Sequence, residues 1–291
     1  MHRILSLVVS VGLLLAPSVV RAQKEQSIQF VKKGFAVGDT DTTDMHVELK
    51  MNFVVHGPEM EPETMNMSSA TKEHFTYTVL SVSKGGIDRL KVAFGDAYEE
   101  ATEEDQTGRK DSPVSGKTYV AALEKGKVVV TDEAGKAVSK EEQDGVKERI
   151  PKLGKADPVE AALPDKPIRV GESLDRFAKV LTKEVLEQEN QPEMRFTGTK
   201  VKLADVTKDA RGTVGTFRVT STMTIKDPES PHVMTVPFEG TMTLLAEGVR
   251  MDDFSLAGPV KLTLKPELRK RGLTIEGDGS MKMSVSSPKQ K

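Results

Sequence analysis

The segment His56-Gly-Pro-Glu-Met-Glu-Pro-Glu-Thr-Met-Asn-Met67 holds the densest run of soft metal donors in the chain. His56, Met60, Met65 and Met67 fall within it, and His46 and Met51 lie just upstream. Imidazole and thioether donors without thiolate suit copper, Cu(I) above all. Pro58 and Pro62 imply that this segment is an exposed loop. A competing reading makes Met65 and Met67 period-two core residues of the following strand. The chain has 13 methionines, among them Met223, Met234, Met242, Met251, Met281 and Met283. Methionine as an adaptable core filler explains that spread more simply, so no metal and no cofactor are expected.

Other candidates for chemistry are thinner. Gly38-Asp-Thr-Asp-Thr-Thr-Asp44 offers Asp39, Asp41 and Asp44, but lacks the glycine and closing glutamate of a calcium loop. A solvated turn is expected there. Tyr98 to Asp111 is charge-rich and reads as a solvated hairpin tip rather than a surface for a basic partner. His46, His56, His74 and His232 lack metalloprotease spacing, and neither a G-x-S-x-G elbow nor a phosphate-cradling glycine loop occurs. Asn66-Met67-Ser68 is a formal glycosylation sequon. The chain has no cysteine, which removes disulfides, thiolate ligands and cysteine nucleophiles. The expectation is a protein that is not an enzyme.

The elements that must position these residues are mostly strands. Alternation of apolar and polar residues marks MHVELKMNFVV, FTYTVLSV, TYVAAL, KVVVT, GTFRVTSTMTI, TMTLLA, VKLTL and SMKMSV. Gly-containing breaks, SKGG, EKGK, AEG and EGDG, read as hairpin turns. Two helices interrupt the pattern. Ser139 with Glu142 forms a capping box, Val138, Val146 and Ile150 make a narrow apolar face, and Pro151 ends the helix. Leu174, Phe177, Ala178, Leu181 and Val185 form a helical stripe over Ser173–Leu186, with Ser173 placed to cap it. Asp157-Pro158 predicts one more short helical turn.

The fold expected is mainly β (α+β): antiparallel curved sheets in two lobes, residues 23–134 and 173–291, joined by a helical linker at 135–172. The second lobe leads with the Ser173 helix. The lobes carry a trace of duplication. Lys84 and Lys208 each end a strand and lie 124 residues apart, as do the hairpin starts Gly116 and Gly240. Val-Gly-acid-hydroxyl steps occur at Val37–Thr40 and Val170–Ser173. Chance alignment of alternating sequence is the rival explanation, and the sequence leaves it open.

The chain opens with Arg3, an apolar run Ile4–Leu15, Pro17, and Val20-Arg21-Ala22. This reads as a secretory signal, residues 1–22, cleaved after Ala22. Removing 22 of the 291 residues leaves 269, and losing Arg3 and Arg21 moves the formal charge from -2 to -4. That near balance gives no case for nucleic acid, and no later segment reads as a membrane span. The mature protein is expected to be exported, to the periplasm or beyond.

The segment Leu163-Pro-Asp-Lys-Pro-Ile-Arg-Val-Gly-Glu-Ser-Leu174 resembles a mid-chain P-x-K-P-V-x-V-G-D-x-W segment in a family of uncharacterised exported bacterial proteins. Pro164, Lys166, Pro167, Val170 and Gly171 match; Glu172 replaces Asp and Leu174 replaces Trp. The resemblance implies strands on both sides and supplies no catalytic residue.

Two function classes follow. The first is an exported, non-enzymatic protein binding an apolar ligand in the cell envelope, in a groove lined by Met-rich strand faces. Phe177 and Leu181 on the Ser173 helix would then point into the groove from a covering lid. The alternative is a structural or protein-interaction β module, meeting an envelope protein through its surface, with its sheet faces closed into a filled core. A copper-binding periplasmic protein and a hydrolase rank below both.

Overall fold

Strand-forming alternation, sustained over unusually long stretches, dominates the molecule. The computed structural model describes residues 26–83, 86–103, 106–187 and 193–287. The expected signal, Met1–Ala22, lies outside them. After β1 (Ser27–Ile28) come β2 (Thr40–Gly57), β3 (Met60–Ser83), β4 (Gly86–Glu103), β5 (Gln106–Asp111), β6 (Thr118–Glu124) and β7 (Lys127–Asp132). Helices α1 (Lys140–Lys147) and α2 (Pro158–Ala162), strand β8 (Ile168–Arg169) and helix α3 (Asp175–Leu181) follow, and α3 continues as a π-helix over Thr182–Leu186. The chain then runs through β9 (Met194–Asp209), β10 (Gly212–Ile225), β11 (His232–Leu245), β12 (Arg250–Pro259), β13 (Lys261–Leu264), α4 (Pro266–Lys270) and β14 (Thr274–Ser286).

Twelve strands form one antiparallel sheet whose main path is β7-β6-β4-β3-β2-β14-β12-β11-β10-β9, with β5 on β4 and β13 on β11. The mainly β, antiparallel architecture expected from the alternation is present. The two lobes, however, share this single sheet, because β2 pairs with β14 along its length. Chain order falls from β7 to β2 and falls again from β14 to β9. Two tandem meanders laid side by side would give this order. The resemblance between halves is imperfect in detail. Gly116 precedes a strand, whereas Gly240 sits inside β11; after Asp39 comes a strand, whereas after Glu172 comes helix α3.

The interior splits into two apolar clusters. One joins Phe75, Leu90, Phe94 and Tyr119 of the sheet to Val146 of α1 and Leu153. The other joins Phe177 and Leu181 of α3 to Phe217, Phe238 and Phe254, and takes in Ile28, Phe30, Met51 and Phe53 from the N-terminal segment. The cores therefore do not follow the expected boundaries at 134 and 173. Met51 and Phe53 join the C-terminal cluster through β2, which meets β14, and Ile28 and Phe30 join it beside β1, which pairs with β8, whereas Phe35 between them packs with the N-terminal cluster.

Local signals held where the partners are close in sequence. Ser139 and Glu142 form the capping box in both directions, at 3.2 and 2.9 Å. Asp157 caps α2 with Pro158 in its first turn. Lys125-Gly126 makes the two-residue turn between β6 and β7, both with positive φ, as a type I′ hairpin requires. Three local expectations are corrected. Leu174, not Ser173, occupies the N-cap of α3 and makes no side-chain bond, since Ser173 is drawn into a bridge with Lys202. Helix α1 ends at Lys147, before Pro151, where the chain turns to bring Arg149 to Glu73. The EGDG segment lies within β14 rather than at a turn. A Cβ on Gly277 would meet the Asn52 carbonyl oxygen at 2.1 Å, so this glycine serves close backbone approach to β2.

Candidate functional site

Where the two apolar clusters meet, a cleft of about 720 Å³ opens between the helical linker and the sheet. Phe35, Tyr77 and Ile150 reach it from the N-terminal cluster, and Val159 and Val185 reach it from the C-terminal one. All five are half-buried. A volume of several hundred Å³ with a lining part apolar and part charged suits a small amphipathic ligand, and a seam between packed units is where such sites recur.

The π-helix builds one wall. Its widened turn is closed by the Glu187 amide donating to the Thr182 carbonyl at 2.9 Å. The Thr182 hydroxyl lies 2.9 Å from the Ala178 carbonyl oxygen and 2.7 Å from the Thr199 hydroxyl, which ties the start of the turn to β9. Lys183, Glu184, Val185 and Glu187 then line the cleft. Single π-turns recur at functional sites, and no periodicity in the sequence marks this one.

Charged groups crowd the cleft, and most of its acids are engaged by the protein. Glu184 meets Lys152 at 2.9 Å, and Glu148 is held by Arg149. Glu187 accepts from the Phe196 amide at 3.2 Å. Asp157 accepts from the amides of Val159 and Glu160 at 2.8 and 3.4 Å; burial pushes its carboxyl above the usual range despite those bonds. Among the described residues Lys147, Lys155 and Lys183 have no ion-pair partner, and neither has Asp144.

Beside the cleft Tyr77 stands opposite Asp41 in the β2–β3 register. Burial raises the Asp41 carboxyl, against the pull of Arg250, whose Nη2 lies 3.4 Å from Oδ1. That oxygen is buried without a hydrogen bond. Burial, with Asp41 and Asp157 adding to it, pushes the Tyr77 phenol well above its ordinary range. A phenol held protonated in this way is a poor base or nucleophile near neutral pH. The lining holds no His, Ser, Thr or Cys.

The residues singled out by sequence lie elsewhere. Phe177 and Leu181 are fully buried in the C-terminal core, with Phe177 stacked on Phe217 at 6.4 Å. Helix α3 thus packs as core, and these two side chains do not line the cleft. The Met-rich face exists as a half-buried strip in which Met45, Val47 and Leu49 stand opposite Val285, Met283 and Met281. The expected loop His56–Met67 is instead a hairpin, with Pro62 in β3 near a bulge. Its donors are divided, because alternation along β2 puts His46 and His56 on one face and Met51 on the other, where Met65 and Met67 also lie. Asp39 holds the Ala36 amide at 2.7 Å, and Asp44 meets His74 at 2.6 Å on the face opposite Asp41, so the three aspartates do not converge. No cluster of three or more His, Cys, Asp or Glu side chains suited to a metal occurs among the described residues. Tyr98–Asp111 is the β4–β5 hairpin, with Arg109 stacked over the Tyr98 ring at 3.7 Å.

No family model and no curated protein matches the chain. A solved structure, DynF from the dynemicin biosynthesis pathway of Micromonospora chersina, aligns over 97% of this chain and 94% of its own, at 8% identity and a TM-score of 0.23. A likeness at that score carries no functional argument. No helix among the described residues is long and apolar enough to cross a membrane.

Proposed function

We propose that the chain is an exported, non-enzymatic binding protein that takes an amphipathic ligand in the cleft between the linker, the π-helix and β3. The observation that carries this reading is the cleft itself: about 720 Å³, with half-buried apolar side chains supplied by both cores. Binding of an amphipathic molecule is supported by the way these apolar side chains stand beside charged ones in the same lining. Export rests on the residues 1–22 signal pattern. The burial of Phe177 and Leu181 favours a second reading, a structural or interaction module whose sheet face is filled by its own helix.

Native mass spectrometry of protein released gently from its own cell envelope separates the two. The binding reading expects a co-purifying small molecule that is lost when Val185→Trp fills the cleft and the fold is retained. An unliganded mass for the parent protein would favour the structural module.

A further inference from the structure

We infer that the polar end of the ligand is an anionic head group, a carboxylate or phosphate, received by Lys147, Lys155 and Lys183. This rests on the cleft reading above and names the chemistry of its occupant.

Most acidic groups of the cleft are already engaged by the protein. Glu184 is paired with Lys152, and Glu148 shares Arg149 with Glu73. Asp157 is turned onto the amides that open α2, and Glu187 onto the Phe196 amide. The first is doubly muted: helix N-terminal amides offset its charge, and burial favours its neutral form. Asp144 is the one lining acid without a partner among the described residues. On the cationic side the balance is reversed. Lys152 is engaged, and three ammonium groups remain with donors unspent.

Those three lysines come from separate segments: the last turn of α1, the loop before α2, and the π-helix. They border the apolar groups Phe35, Ile150, Val159 and Val185 in one cleft. A ligand with an apolar body and an acceptor-rich, negative end satisfies both sets at once. Bonds from an ammonium to a charged acceptor are among the stronger polar contacts. A cationic head would meet three ammonium groups against one carboxylate, Asp144, all unpaired among the described residues, and a neutral head would leave the ammonium groups unused.

The test is calorimetric titration of the full mature chain, below micelle-forming concentration, with four probes: dodecyl phosphate, dodecanoate, dodecyl maltoside and inorganic phosphate. The expected result is that an anionic amphiphile binds at least about tenfold more tightly than dodecyl maltoside, with affinity falling as salt rises. The ratio between dodecyl phosphate and dodecanoate then assigns phosphate or carboxylate. The triple variant Lys147→Gln, Lys155→Gln, Lys183→Gln should erase that preference while its melting curve stays in place, because all three side chains are exposed. Equal binding of the maltoside, or a triple variant that keeps the preference, overturns the anionic head group and leaves the cleft reading standing. Inorganic phosphate binding as tightly as dodecyl phosphate overturns the amphiphile. If no amphiphile binds and Val185→Trp changes nothing, the cleft reading itself fails.

Discussion

Glu73→Gln tests whether a buried ion pair fastens the linker to the sheet. Glu73 lies on β3 with its side chain 5% exposed. Arg149, just past α1, reaches both its oxygens, through Nε at 2.8 Å and Nη2 at 2.6 Å. Burial works against the Arg149 charge, but Glu73 and Glu148 hold its pKa above the ordinary value. Gln keeps the shape and one acceptor and removes the countercharge. Breaking one side of a buried pair costs ~3–5 kcal/mol. Glu148 still holds Arg149, so the expected loss is at the lower end, about 3 kcal/mol. With a urea dependence of about 3 kcal/mol per molar for a chain this long, the midpoint should fall by roughly 1 M. The chain has no Trp, so far-UV circular dichroism is the suitable probe. The double variant Glu73→Met, Arg149→Leu should recover to within about 1 kcal/mol of the parent, because an apolar pair carries no desolvation cost. A loss below about 1 kcal/mol in the single variant, or a double variant as weak as the single, would refute the reasoning.

Three further outcomes follow from the same structure. Phe177→Ala removes a fully buried ring stacked on Phe217 and should cost ~3–5 kcal/mol in urea unfolding, leaving cleft binding intact; normal stability with lost ligand would restore the lid role. Asp41 and Asp157 both have folded pKa values raised above 3.8, chiefly by burial, so the folded state holds more protons than the unfolded one between 3.8 and those values. Their contribution to stability is thus fullest at the acid end and declines as pH rises through the folded values. The variant Asp41→Asn, Asp157→Asn, in which Asn can still cap α2, should lose less stability than the parent between about pH 4 and pH 7; parallel profiles would contradict this. Intact-mass analysis of the exported protein should place the first residue at Gln23, and a full-length mass in the membrane fraction would count against cleavage.

Features that depend on near neighbours are legible in the chain alone. Period-two alternation located the strands, since it needs only a residue and the one two places on. The Ser139–Glu142 box, the Asp157-Pro158 start and the Lys125-Gly126 turn were legible for the same reason: each closes its bonds within four residues. Helix α3 was legible as a stripe, but a stripe says which face is apolar and not what it meets. It takes the packed fold to set Phe177 against Phe217 in a filled core rather than against a ligand. The same packing decides that Gly277 sits against β2, that Arg149 answers a glutamate 76 residues away, and that Phe35, Tyr77, Val159 and Val185 share one cleft. The pairing of β2 with β14 underlies this arrangement, joining the start of the chain to its end. Alternation carries no record of such a pairing, because any strand with one apolar face can pair with any other. Burial of both cores on one shared sheet selects the partner, and the cleft is where those two cores meet.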